Sequence, residues 1–295
     1  MRGTGDLRIG ISGWRYKPWR GVFYPDDLPQ RSQLAYAATI FNSIEINGTF
    51  YSLQQPESFE RWATGTTDDF LFAVKGSRYI THMLRLKNIK IALANFFASG
   101  VLRLGTKLGP FLWQFPPNFA FDAGRFEQFF WTLPRDSASA ASLAHRCDKR
   151  LVSKPSIKGI PDLRLRHAVE IRHQSFATPE FIHLLREHDI ALVCADTVDW
   201  PRLMDLTSDF VYCRLHGSQE LYVSGYDDQS LDVWAARVAT WACGREPADA
   251  EKVVPSPPPK KATRDVFVYF DNDAKVRAPI DARGLQRRVQ DLLTK

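Results

Sequence analysis

Cysteine is scarce in this sequence: Cys147, Cys194, Cys213 and Cys243 are the only four in 295 residues, and no two are spaced as CxxC. That spacing excludes a disulfide framework and a zinc site built on cysteines. Cys194 and Cys213 stand inside apolar, β-prone runs, so buried free thiols in a reducing cytosol are expected. No glycine-rich phosphate fingerprint follows any strand-like run, which counts against a dinucleotide-binding fold. No apolar run approaches the roughly 18 residues of a membrane helix, and the first ten residues hold no apolar signal region. A soluble chain with no membrane partner is expected. Neither HxH nor HExxH occurs, and no cofactor is implied. Charge of one sign does not dominate either. The formal net charge of +6 and pI near 9.1 lean toward anionic partners but are spread thinly over the length.

What is present is apolar surface enough for a sizeable core, with 44% hydrophobic and 13% aromatic residues. It is organised as short apolar runs alternating with amphipathic ones. Strands are expected at 8–12, 42–46, 70–74, 111–115, 168–171, 190–195, 210–215 and 266–270. Helices are expected at 31–41, 56–63, 88–104, 122–133, 179–189, 231–242 and 282–293. Pro56 and Pro179 sit at first-turn positions, with Thr178 as an N-cap. The strands are nearly continuously apolar, as parallel strands covered on both faces are. Eight strand–helix units in this length suit a single (β/α)8 TIM barrel over 1–295. The unit after strand six has no helical pattern and should be degenerate. Residues 134–166, locally basic, read as an inserted helix and loop. Residues 244–264, with PSPPPKK, read as an exposed, mobile, polyproline-like insertion.

The chemistry collects at strand ends. The stretch HAVEIRHQ (167–174) is the sharpest case, because an apolar strand finishes in Glu170, Arg172 and His173. Charged groups at the edge of a core are costly unless they are paired or used. Glu170 and Arg172 stand two apart and so share a side of the strand. With Val169 and Ile171 against the helices, the charged pair points into the barrel and up toward its mouth.

The segments GISGW (10–14), IEINGTFY (44–51), FAVKGSRYITH (72–82), LWQFPP (112–117), AVEIRHQSF (168–176), YCRLHG (212–217) and YFDND (269–273) resemble the YecE-like family, domain of unknown function 72. The resemblance runs in order along almost the whole chain, apart from 134–166 and 244–264. It implies a TIM-barrel fold and implies no settled reaction.

In such a barrel the strand ends converge on one mouth. The residues expected there are Trp14, Glu45, Asn47, Tyr51, Lys75, His82, Gln114, Glu170, Arg172, Asp196, Arg214, His216, Asp271 and Asn272. Glu45, Lys75, Glu170, Arg172, Arg214, His216 and Asn272 in particular should face a single pocket. Acids and bases nearly balance, so an internal salt-bridge network is the plain alternative. Buried ion pairs are a poor route to stability, however, and a whole ring of them points to use. His216 is the leading candidate for proton transfer. Glu170 and Glu45 are candidate acid and base, or partners for Arg172 and Lys75. Arg172 and Arg214 suit a phosphate or carboxylate, which a guanidinium fork grips with two bonds. Lys75 would assist them. Asn47, His82, Gln114 and Asn272 are read as substrate-binding. Asp196 and Asp271 suit substrate contact or the orientation of bases equally, and Trp14 and Tyr51 suit stacking or plain packing. A metal on Glu45, Glu170, Asp196 and His216 has conceivable ligands, but the neighbouring Arg and Lys would repel it, and none is expected.

Three functions fit these residues. The first is an enzyme on a small anionic, sugar-like substrate. The second is a nucleic-acid binder or phosphodiester-acting enzyme, with outer contacts from 146–166, Lys260, Lys261 and Arg264. The third is a non-catalytic sensor or scaffold. The oligomeric state is not legible in the sequence.

Overall fold

The computed structural model describes residues 3–149, 151, 161–217, 221, 224–258, 260–273 and 275–294. Eight strands, β1 (Leu7–Ser12), β2 (Ser43–Ile46), β3 (Leu71–Lys75), β4 (Leu108–Gln114), β5 (His167–Glu170), β6 (Ala191–Asp196), β7 (Phe210–Leu215) and β8 (Asp265–Phe270), pair in parallel in chain order. β8 returns to β1, with Leu7 opposite Val266 and Ile11 opposite Phe270, and closes the barrel. Among the described residues no helix is long and apolar enough to cross a membrane.

Strand parity divides the apolar residues into two cores. One set faces inward and plugs the barrel: Ala73, Leu112, Ala168, Val193, Phe210, Tyr212, Phe267 and Tyr269 belong to it. The rings of β7 and β8 pack on one another there, Tyr212 against Phe267 and Tyr269, so the interior is filled side chain to side chain. The other parity faces outward and joins the much larger layer between strands and helices, including Ile44, Val74, Trp113, Val169, Cys194, Cys213 and Phe270. Both faces of the sheet are therefore buried, which is why the strands read as unbroken apolar runs.

The helices lie outside. They are α1 (Gln33–Ala38), a single turn α2 (Gly48–Tyr51), α3 (Pro56–Thr64), α4 (Lys90–Ala98), α5 (Ala123–Thr132), α6 (Ser137–Ala144), α7 (Pro179–Glu187), α8 (Asp228–Ala242) and α9 (Arg277–Thr294). Thr178 caps α7 by accepting from the Phe181 N–H, with Pro179 in the first turn. The helix expected over 88–104 stops at Ala98, and a tighter 3-10 segment continues over Val101–Lys107. No helix stands between β6 and β7, so that unit is degenerate. Of the expected basic insertion, α6 is formed and capped by Asp136, while 150 and 152–160 lie outside the described residues.

The 244–264 stretch departs from the exposed loop expected of it. Pro255 and Pro257 are exposed, but Pro247 is buried and the segment before Pro255 packs. The Asp205 carboxylate accepts from the Val253 and Val254 N–H groups at 2.8 and 2.9 Å, the Met204 N–H donates to the Glu251 carbonyl, and Val254 is buried. Arg264 is buried as well, donating to the Gly244 carbonyl. One acceptor satisfying two backbone donors turns a proline-rich connection into part of the fold. Replacing Asp205 with Ala orphans both donors, and a loss of about 1–3 kcal/mol is expected in urea unfolding. An unchanged midpoint would mean that the segment is held by something else.

Candidate active site at the barrel mouth

At the carboxyl end of the barrel the inward parity changes from apolar to charged. Arg214, two residues beyond the inward Tyr212, is fully buried at the centre. Its Nε donates to Glu45 Oε2 at 3.1 Å, its Nη1 to Glu170 Oε2 at 2.7 Å, and its Nη2 to Ser12 Oγ, Glu45 Oε1 and Asp271 Oδ2 at 3.1, 3.0 and 2.8 Å. Strands 1, 2, 5, 7 and 8 thus meet on one guanidinium. Glu45 is used up: Oε1 also accepts from Ser12 Oγ at 2.5 Å and Oε2 from the Tyr212 hydroxyl at 2.6 Å. The expectations that Arg214 grips a ligand and that Glu45 trades protons are corrected by this packing. Neither group has surface or hydrogen-bonding capacity to offer.

Glu170 is held from two sides. Arg214 takes Oε2, and Arg172 reaches Oε1 through both Nε and Nη2 at 2.7 Å. Burial opposes its ionisation, but the charges of Arg214 and Arg172 outweigh that and hold its carboxyl well below the usual range. The same contest, with Arg214 and a hydrogen bond from His216 prevailing over burial, holds Asp271 low. The Arg172 guanidinium lies 4.1 Å from the centre of the Trp200 ring, a cation–π stack that fixes it at the rim.

Three titratable groups sit differently. His216 is buried, with Nδ1 3.2 Å from Asp271 Oδ2 and Nε2 3.8 Å from Glu170 Oε1. Burial lowers its pKa against the pull of Asp271, so it is a neutral imidazole oriented by a carboxylate. Lys75 ends β3, and the Thr49 hydroxyl donates to its carbonyl at 2.6 Å. Gly76 follows because the chain there lies flat on Trp113: a Cβ at that position would meet the indole at 2.3 Å. The Lys75 amine stands 4.4 Å above the Phe50 ring, and burial, then the charge of Arg214, push its pKa down to about 8. Asp273, beside Tyr16, is pushed up to about 7 by burial and the charge of Asp271.

His82 lies in the turn Tyr79–Met83, edge-on to the same Phe50 ring at 5.1 Å. Burial and the charges of Lys75 and Arg172 lower its pKa to about 4. Gln114 is buried at the end of β4, in register with Glu170. Trp14, Asn47 and Tyr51 line a separate cavity of about 240 Å³ with Tyr16, Gln54 and Trp62, over the ends of β1 and β2. Asn47 joins it to the charged cluster by donating to Ser12 Oγ at 2.9 Å. A larger depression of about 730 Å³ beside α4 and α5 contains none of the candidate residues.

Two candidates do not face the mouth. Asp196 has the parity of the outward Cys194, and it accepts from Arg202, the Tyr226 hydroxyl and Trp234 Nε1. Asn272 has the parity of the outward Phe270, and its amide donates to Asp281 and to the Ser224 carbonyl. Alternation along the strand, legible in the sequence, would have removed both. The same rule would have added Ser12, two beyond Gly10, and Asp273, two beyond Asp271. Trp200 carried no signal, since its place over Arg172 depends on the path of an irregular loop. Among the described residues no group of three or more His, Cys, Asp or Glu side chains is arranged to hold a metal ion.

Of the basic groups offered as outer nucleic-acid contacts, Arg150, Lys154 and Lys158 lie outside the described residues, and Arg164, Arg166, Lys260, Lys261 and Arg264 lie away from the mouth. Arg164 pairs with Asp189 and Asp209, and Arg166 with Asp265. These residues, like Lys260, Lys261 and buried Arg264, precede strands β5 to β8 and stand at the amino end of the barrel, opposite the mouth.

Comparison with known proteins agrees with this architecture. A family model described as "Protein of unknown function DUF72" matches residues 8–294. UPF0759 protein YecE of Escherichia coli K12 is 31% identical over 113 residues, 38% of this chain and 39% of that protein. UPF0759 protein YunF of Bacillus subtilis is 27% identical over 124 residues, 41% of its length. The matches thus span about two fifths of these curated relatives. Among solved structures, a DUF72 family protein from Thermotoga maritima superposes with a TM-score of 0.74 at 23% identity, covering 97% of this chain and 99% of its own. One from Enterococcus faecalis gives 0.65 at 16%, covering 98% and 99%. At these identities the likeness concerns the fold.

Two outcomes are expected of this network. Arg214→Met strands the buried Glu45 and Glu170 and the part-buried Asp271 and should cost on the order of 3–5 kcal/mol. Arg172→Ala leaves Glu170 its bond to Arg214 and should cost about 1–3 kcal/mol. Equal losses in urea titrations of the two variants would contradict the central place given to Arg214. For Asp273 the folded pKa is raised, so the stability it contributes is complete below about pH 4. It is lost as pH rises through about 7. The stability of the wild type relative to Asp273→Asn should therefore fall across that window, and a flat difference would refute the assignment.

Proposed function

The chain belongs to the family of proteins of unknown function DUF72, and on that barrel we propose that the mouth binds and transforms a small molecule bearing a phosphate or carboxylate group. The observation that carries this reading is the distribution of charge. Glu170 and Asp271 are committed to Arg214, Arg172 and His216, and Glu45 to Arg214. Lys75 is left as the one mouth cation with no carboxylate within ion-pair distance among the described residues. A buried ammonium without a counter-ion is disfavoured, and an anionic ligand would supply what it lacks. His216 is the group suited to carry a proton, because Asp271 on Nδ1 leaves Nε2 directed toward the Glu170 side of the mouth. The aromatic cavity at Trp14, Tyr51 and Trp62 would take the uncharged part of the molecule. The nucleic-acid reading is less favoured, because the described Arg164, Arg166, Lys260, Lys261 and Arg264 of its outer basic set stand at the other end of the barrel.

The test is titration calorimetry with inorganic phosphate and with oxalate at low ionic strength. Saturable binding is expected in the wild type and none in Lys75→Met. Affinity should decline as pH rises through about 8, where the amine gives up its proton. The folded pKa of Lys75 is depressed, so its charge is a burden on the fold at pH 7, relieved as pH rises past about 8. Lys75→Met should accordingly raise the thermal midpoint at pH 7 while abolishing binding. Undiminished binding in that variant would sink the proposal.

A further inference from the structure

We propose that Lys75 is a nucleophile, condensing with the carbonyl carbon of a small oxo compound that also carries a carboxylate or phosphate. This rests on the anion-binding reading above and names its substrate class. Three features of the geometry set this lysine apart. It ends a central strand, with its backbone clamped by Thr49 and its carboxyl-side neighbour pressed onto Trp113. Its amine lies on an aromatic ring in a nearly closed site, 7% of the residue remaining exposed. No carboxylate within ion-pair distance, among the described residues, holds it in the ammonium form.

A lysine placed in an apolar setting beside other cations is how an amine is made nucleophilic near neutral pH. Here the amine is buried beside Phe50 and the neighbouring cation is Arg214; burial and that charge bring the amine close to half deprotonated at pH 8. His82 packs against the same ring and, with its pKa lowered to about 4, is neutral at that pH, so it adds no second charge beside the amine, and the proton that the ammonium gives up passes to solvent.

The step balances without a redox partner. The amine lone pair forms a bond to the carbonyl carbon while the C=O π pair moves to oxygen, which takes up a proton from solvent. The resulting carbinolamine loses its hydroxyl as water and becomes a protonated imine. Ammonium plus carbonyl compound thus give iminium plus water, with charge conserved. The iminium keeps the positive charge of Lys75 within the field of Glu170 and Asp271, both of which act on the amine in the free protein. With the imine as electron sink, His216 is placed to remove or return a proton on the carbon beside it.

The experiment uses the full chain at pH 8 with glyoxylate and, separately, dihydroxyacetone phosphate, each followed by borohydride reduction, intact mass measurement and peptide mapping. The expected result is one adduct per chain, on Lys75, suppressed by excess inorganic phosphate. Lys75→Arg keeps the cation but has no amine able to form an imine, so it should still bind phosphate calorimetrically and give no adduct. If a probe binds saturably and is displaced by phosphate, yet borohydride fixes nothing on Lys75, the nucleophile is overturned and the anion site stands. Modification of surface lysines as fast as Lys75 overturns the nucleophile equally. If neither the probes nor phosphate bind, the anion site itself is wrong and the nucleophile falls with it.

Discussion

Everything at the mouth depends on the burial of one guanidinium among three carboxylates. Arg214 has no contact with water, and a charge so placed is tolerable only if every donor is matched. Its partners come from β2, β5 and the end of β8, so the pairing also staples the barrel across its width. Three carboxylates around one cation leave a surplus of negative charge. Arg172 on Glu170 offsets one unit of it, while neutral His216 on Asp271 and the hydroxyls of Ser12 and Tyr212 on Glu45 solvate the carboxylates without adding charge. The network is closed, and that closure divides the residues of the mouth into those that hold one another and those whose ionisation is shifted.

The holding residues are the ones that look most like catalysts in the sequence. A carboxylate that accepts from four donors, as Glu45 does, has no lone pair for a substrate. A carboxyl pinned below its usual range, as Glu170 is, is a poor proton donor at any physiological pH. The groups whose ionisation the network and burial perturb are Lys75, His216 and, at the edge, Asp273. All three are shifted toward neutrality by burial, and sites that run acid–base or nucleophilic chemistry are where such shifts collect.

The degenerate unit after β6 fits the same picture. Where a helix would stand, an irregular segment brings Trp200 over Arg172 and Arg202 to Asp196. It exchanges a helix for a cover on the mouth and keeps the outward face of β6 tied to α8 through Trp234. Loops at the carboxyl end of a barrel can vary in this way because the strands below already carry the fold.

The barrel was legible in the sequence because its cause is local: unbroken apolar runs of strand length, alternating with amphipathic helices, have few other ways to bury both faces. The clustering of Glu45, Lys75, Glu170, Arg172, Arg214, His216 and Asp271 followed from their shared place at strand ends, and strand parity alone would have set Asp196 and Asn272 aside. The sequence could not say which of these groups are spent on one another. Whether Arg214 faces a ligand or three carboxylates depends on the lateral order and stagger of strands far apart in the chain, and only the closed barrel sets those. The same holds for Lys75, whose distinction among the described residues is that no carboxylate lies within ion-pair distance. A missing partner leaves no mark on the residues beside it in the chain, because it is a property of the space that seven other strands enclose.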